Sequence, residues 1–248
     1  MRAFADHFSR LATGYATYRP QYPDGLFAAI AAASRSHEVV WDCATGTGQA
    51  VRGLARHFAL VLASDASREQ VAAATSHERA RYLVARAEAA PLPAGSACMI
   101  TVAQALHWLD LAEFYAEARR VLRPGGLLVV WTYGSQRIDG GPIDSVLHDF
   151  YQRVVGPYWP PQRRWVETGY RTLRFPFEEV ALQAPPMSAD WTLGQLLGYI
   201  GTWSAVARCR ESSGTDPVSE LADRVVPLWR DPAVSRRIEW PISVRAGR

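Results

Sequence analysis

The sequence contains no lysine: all 27 of its basic side chains are arginine. A Schiff-base lysine and a lysine general base are therefore excluded. Cysteine is scarce, with three residues placed far apart: Cys43, Cys98 and Cys209. Cys43 and Cys98 fall in apolar runs, where a thiol acts as a small core hydrophobe. No run approaches the ~20 apolar residues of a membrane span, and the N-terminus has no long apolar stretch of the secretory kind. These shortages predict a reduced, cytoplasmic protein with no membrane partner. The formal net charge is only +3, and the arginine pairs Arg163-Arg164 and Arg236-Arg237 are isolated, which argues against a nucleic-acid partner. No Cys/His ligand spacing and no carboxylate cluster points to a metal. Apolar residues make up 48% of the 248, ample for a large α/β core.

The remaining residues are organised around Val39–Ala50. A short β-branched apolar run stops at Ala44-Thr45-Gly46-Thr47-Gly48, and a helical pattern follows, with Val51, Leu54, Ala55 and Phe58 on one face. Strand, tight turn and helix present backbone N–H groups to a ligand. Gly46 and Gly48 lack a Cβ and permit a sharp turn with close approach to the main chain. The next apolar run ends at Asp65, about 20 residues past the turn, the usual place for a carboxylate that holds a ribose diol. The Gly-x-Gly-x-x-Gly fingerprint of dinucleotide binding is not supplied.

Taken in order, the chain predicts a helix from Pro23-Asp24 to Ala33 and strand Val39–Cys43. Helix Gln49–His57, strand Leu60–Asp65, helix Ser67–Ser76 and strand Arg81–Val84 follow. Next come strand Ala97–Ala103, a helix capped by Asp110 and running to Leu122, and strand Leu127–Trp131. Alternating elements with near-continuous apolar strands indicate a doubly wound, mostly parallel sheet with both faces covered. Ligands on such sheets sit beyond the carboxyl ends of the strands. Thr45–Gly48, Asp65, Glu88, Gln104–Trp108 and Thr132-Tyr133 all fall there. After Gly134 the alternation stops. Helices are expected over Ile143–Val155, Trp165–Tyr170, Leu193–Ala207 and Pro217–Trp229, edge strands over Glu179–Gln183 and Asp190–Thr192, and a closing strand over Arg237–Val244. The expected organisation is one domain over 1–248: an N-terminal lid and helix (1–35), a ligand-binding core (36–133), and sheet completion with a helical cap (134–248).

Asp42–Gln49 resembles the Asp-x-Gly-x-Gly-x-Gly turn of class I S-adenosylmethionine-dependent methyltransferases, with Ala44 in place of the first glycine. A φ below zero at Ala44 would accommodate its methyl group. Tyr15–Pro23, Ala87–Pro93, Ala103–Trp108, Val121–Gly126, Trp203-Ser204 and Arg236–Gly247 resemble, in order and spacing, the group that includes trans-aconitate methyltransferases. The resemblance implies a Rossmann-like, seven-stranded sheet and S-adenosylmethionine as donor. It assigns Gly46 and Gly48 to the donor's amino-acid part, Asp42 to its ammonium, Ala44, Thr45 and Gln49 to the donor site, Asp65 to the ribose, Ala87 and Glu88 to the adenine edge, and Gln104 to the methionine moiety. Tyr18, Arg19, Trp108, Tyr133, Trp203 and Ser204 are expected around the acceptor.

Methyl transfer from a sulfonium is an in-line displacement in which alignment supplies much of the rate. A carboxylate acceptor is already ionised at neutral pH; a phenol or alcohol usually needs a base. His107, beside Trp108, is the candidate base. The expected activity is O-methylation of a small carboxylic acid or hydroxyl compound in secondary metabolism, by a monomer or homodimer. The alternatives are N- or C-methylation, and a catalytically inactive donor-binding protein that acts by association.

Overall fold

The computed structural model describes residues 19–138 and 141–248. Tyr18 and the arm before it, expected to form the lid, lie outside the described residues. The helices are α1 (Asp24–Ala33), α2 (Val51–Leu54), α3 (Arg68–Ala72), α4 (Leu111–Val121), α5 (Pro142–Asp149), α6 (Arg163–Glu167), α7 (Leu193–Gly201), α8 (Ser204–Ser213) and α9 (Pro217–Trp229). The strands are β1 (Val39–Cys43), β2 (Leu60–Asp65), β3 (Ala80–Val84), β4 (Ala97–Ala103), β5 (Leu122–Tyr133), β6 (Glu179–Val180), β7 (Met187–Trp191), β8 (Arg236–Trp240) and β9 (Ile242–Gly247).

Seven strands form one sheet in the order β3-β2-β1-β4-β5-β9-β6. The first five in this order run parallel, and β9 is antiparallel to both β5 and β6. Alternate side chains of each central strand feed two cores. Val40, Met99, Val129 and Trp131 pack with α1 and α2, while Trp41, Ile100, Val102, Leu128 and Val130 pack with Phe114, Tyr115, Ala118 and Val121 of α4. Burial on both faces explains why β1 and β4 read as near-continuous apolar runs, interrupted only by Asp42 and Thr101. The strand order reverses at β1, between β2 and β4, which opens a crevice beyond their carboxyl ends. Among the described residues, no helix is long and apolar enough to cross a membrane.

Several elements differ from the sequence expectation, each for a local reason. The helix expected over Gln49–His57 is regular only over Val51–Leu54. It contains Gly53, where a Cβ would collide with the Phe27 ring, so tight packing here comes at the expense of helix propensity. The helix expected over Leu193–Ala207 is two helices, broken at Thr202-Trp203. The Thr202 hydroxyl donates to the Tyr199 carbonyl at 2.7 Å and closes the first of them. The expected closing strand is also two. Pro241 separates β8 from β9, and β8 pairs with β7 in a second, two-stranded sheet.

Candidate active site

The turn after β1 is built on backbone conformations rare for side-chain-bearing residues. Ala44 has φ +53°, Gly46 φ +59° and Gly48 φ +84°. The condition set for Ala44, a φ below zero, is therefore not met, and the turn keeps its shape with a Cβ in the left-handed region. The Thr45 N–H donates to the Ser64 carbonyl at 2.9 Å, which ties the turn to the tip of β2. Asp65, at that tip, accepts from Gly46 N–H at 2.8 Å and from Ser67 N–H at 2.9 Å. These two bonds fix the orientation of a group that has about four acceptor sites. The Gln49 amide donates to the Pro20 carbonyl at 2.6 Å and holds the segment before α1 across the turn.

A cavity of about 1100 Å³ opens beyond the strand tips. Its walls bring together Ala44, Thr45, Gly46, Gln49, Asp65, Ala87, Glu88, Gln104, Trp108 and Tyr133, all singled out in the sequence. Gln104 sits at the end of β4 with φ +54°. Its side-chain carbonyl accepts from the Thr132 hydroxyl, and its amide donates to the Tyr133 carbonyl at 3.4 Å. Glu88 accepts from Asp110 N–H at 3.1 Å and pairs with Arg86 at 3.3 Å. Arg19 does not line the cavity but donates to the hydroxyl of Tyr133 at 2.8 Å, and its guanidinium lies 5.7 Å from the Tyr199 ring centre.

Six of the residues expected at the site, Arg19 and five others, do not line the cavity. Asp42 is fully buried and does not line the cavity; it accepts from the hydroxyls of Thr45, at 2.5 Å, and Thr101, at 2.7 Å. Burial pushes its carboxyl up to about 6, against the two hydrogen bonds that favour its charge. It braces the turn against β4. Gly48 faces Tyr82, whose hydroxyl fills the space a Cβ would need. His107 is buried outside the cavity wall, with Nδ1 2.8 Å from the Tyr170 hydroxyl and its ring 4.8 Å from that of Trp108. Burial, with a contribution from the Arg163 charge, pushes the imidazole down to about 3. The ring shapes the turn that carries Trp108 and offers no proton acceptor to the cavity. Trp203 is a core residue ringed by Phe150, Tyr151, Trp159 and Tyr199. Ser204, the first residue of α8, is absent from the wall, whereas Arg208, one turn further along the same helix face, is part of it.

Sequence reasoning missed several other wall residues. Asp110 is expected from the sequence only as a helix cap, and Glu113 and Pro160-Pro161-Gln162 carry no site expectation, yet all line the cavity. Tyr22 lines the cavity and packs edge-on against Trp131, with ring centres 5.6 Å apart. Nothing in the periodicity marked Arg208, because its orientation depends on the helix break five residues earlier.

A sheet that reverses order at β1, with a positive-φ turn, a strand-tip carboxylate and one large crevice, defines a Rossmann-like nucleoside-binding protein. Comparison with known proteins narrows that class. A family model described as a methyltransferase domain matches residues 41–130. The solved structure of "a Putative Type II Methyltransferase from Anaeromyxobacter dehalogenans" is 42% identical, covers 93% of this chain and 98% of its own, and superposes with a TM-score of 0.86. A "Putative methyltransferase" of Dictyostelium discoideum is 29% identical over 230 residues, 92% of this chain and 88% of that protein. An "Uncharacterized methyltransferase" of Mycobacterium tuberculosis is 30% identical over 222 residues, 81% of this chain and 88% of that protein. The chain belongs to the class I S-adenosylmethionine-dependent methyltransferases.

The residues present fit that donor. Gly46 leaves its backbone open to the cavity: a Cβ there would meet only the Gln70 side chain, at 3.7 Å. Asp65 lies on the wall at the tip of β2, and Asp65, Glu88, Asp110 and Glu113 together give the wall an acidic character suited to a cationic sulfonium.

Proposed function

We propose that this enzyme methylates an oxygen of a small molecule, with a carboxylic acid favoured over a hydroxyl compound. One observation carries this reading. A single cavity joins the donor residues at the strand tips to a second wall of Trp108, Tyr133, Pro160 and Pro161, while His107, the base expected from the sequence, is hydrogen-bonded to buried Tyr170 and is not part of the wall.

Bound at the strand tips, S-adenosylmethionine supplies an electrophilic methyl group. Asp65 would take the ribose hydroxyls in charge-assisted hydrogen bonds. Ala87 and Glu88 would border the adenine, and Gln104, immobilised through Thr132 and Tyr133, would border the methionine part. The rings and prolines of the second wall exclude water and hold the acceptor in line. Effective alignment of this kind is worth about 7–11 kcal/mol in favourable cases. An ionised carboxylate needs no proton removed, so the chain's task is binding and orientation.

The test has two arms. Calorimetry with S-adenosylhomocysteine should show one site, and Asp65→Ala should weaken it by about tenfold or more, as expected for lost charged hydrogen bonds. Methyl transfer from tritiated donor should then favour carboxylic acids over phenols and amines. Tight binding of S-adenosylhomocysteine with no transfer to any acid or phenol would instead support a protein that acts by donor-dependent association.

A further inference from the structure

The charged residues of the cavity wall come from different elements. Asp65, Glu88, Asp110 and Glu113 belong to the strand tips and the elements that follow them. Arg86 stands among them and is paired with Glu88. On the cap side the charged residue is Arg208, half-buried on α8. Among the described residues its hydrogen bond goes to the Tyr158 carbonyl, at 3.4 Å, and no carboxylate lies in ion-pair contact with it. The cap's other nearby guanidinium is engaged: Arg163 donates to the Tyr151 hydroxyl at 2.7 Å and stacks on Trp159 at 4.5 Å. Gln162 and Tyr133 are among the polar residues that share the wall with Arg208. The Tyr133 hydroxyl accepts from Arg19, which leaves its own proton to donate.

We propose that the acceptor carries an anionic group of the carboxylate class, distinct from the oxygen that is methylated. Arg208 receives that group on the cap side of the cavity, with Tyr133 and Gln162 as hydrogen-bond donors. The inference rests on the methyltransferase reading of the same cavity. A guanidinium clamped on the attacking oxygen would stabilise the ground state and oppose transfer, so the anchored group and the reacting oxygen are separate. A half-desolvated guanidinium without a carboxylate partner gains most from an anion that arrives with the ligand.

The test uses the whole chain saturated with S-adenosylhomocysteine, after its binding has been confirmed by calorimetry. The probes are 4-hydroxycinnamate against 4-hydroxycinnamamide, and monomethyl adipate against its amide, titrated by tryptophan fluorescence. Each acid should bind about tenfold or more tighter than its amide partner, the size of a charge-assisted contact. Arg208→Gln should abolish that preference, and Arg208→Lys should retain part of it, with melting temperatures confirming that both variants are folded. Equal binding of acid and amide, a preference that survives in Arg208→Gln, or no binding of either acid would overturn the proposal while leaving donor binding intact. Failure of S-adenosylhomocysteine to bind would instead remove the methyltransferase reading itself.

Discussion

Ala44 holds φ +53° at the turn position where its family resemblance calls for glycine. A Cβ in the left-handed region costs about 1–2 kcal/mol, whereas glycine adds about 0.4–1 kcal/mol of unfolded-state freedom. Ala44→Gly should therefore stabilise the protein by roughly 0.5–1 kcal/mol, a rise of about 1–4 °C in melting temperature. Ala44→Val should lower the melting temperature, and thermal unfolding that ranked Gly below Ala would refute the strain. The neighbouring Asp42 makes a pH-dependent prediction. Its carboxyl is raised from 3.8 to about 6 by burial. A carboxyl raised on folding stabilises only in its protonated form: the contribution is full below 3.8 and is lost as pH rises through about 6. The difference corresponds to about 3 kcal/mol above that window. An asparagine amide can serve both threonine hydroxyls, donating to one and accepting from the other. Asp42→Asn should thus melt higher than the parent at pH 8, with the gap closing towards pH 4. A gap independent of pH would show that Asp42 does not titrate there.

At the scale of elements, the loop after β3 is held from behind by α4. Glu117 accepts from Ala90 N–H at 2.8 Å and is clamped by Arg120, which also donates to the carbonyls of Leu92, at 2.7 Å, and Ala90, at 3.1 Å. The bond from Arg120 holds the Glu117 carboxyl below its usual range. This loop carries Ala87 and Glu88 to the cavity. Glu117→Ala should destabilise the fold by about 1.5–3 kcal/mol, the cost of losing hydrogen bonds to a charged group. It should also weaken S-adenosylhomocysteine severalfold by calorimetry, with Glu117→Gln intermediate; unchanged affinity would uncouple the clamp from the donor site. The strands that position this loop were legible because burial on both faces leaves an unmistakable apolar run: β1, β2 and β4 occur where the sequence placed them. The donor-side wall residues were legible because they sit at strand ends, where topology alone delivers them. What was not legible depends on three-dimensional accidents. The helix break at Thr202 turns Arg208 rather than Ser204 into the cavity, and burial of His107 against Tyr170 depends on a contact 63 residues away in sequence.

For the whole molecule, the cavity is held by two physically different halves. The donor half rests on the tips of β1, β2 and β4, which are locked by sheet hydrogen bonds and fully buried side chains. The cap half rests on a chain of rings. Trp240 of β8 packs on Trp191 and Tyr199, at 4.9 and 5.6 Å between ring centres. Tyr199 and Trp159 both meet Trp203 at 5.7 Å, and the residues after Trp159, Pro160 to Gln162, line the cavity. Trp203 is the hub of this chain and is 6% exposed, so its removal leaves a void that no single neighbour can fill. Trp203→Ala should cost about 3–5 kcal/mol of stability, a loss that a domain stable by about 5–15 kcal/mol can survive. Because the ring contacts of Trp203 are with Phe150, Tyr151, Trp159 and Tyr199 and none lies on β1, β2 or β4, S-adenosylhomocysteine should bind the variant within about twofold of the parent. Binding of carboxylate probes should fall much further, since the wall that carries Pro160 and Arg208 loses its backing. Trp203→Phe, which keeps a ring in place, should recover most of both stability and probe binding. Calorimetry with S-adenosylhomocysteine beside fluorescence titration of the probes separates the two halves. Parallel loss of both affinities in folded Trp203→Ala would mean that the cavity is a single mechanical unit, and the division between strand tips and cap would have to be abandoned.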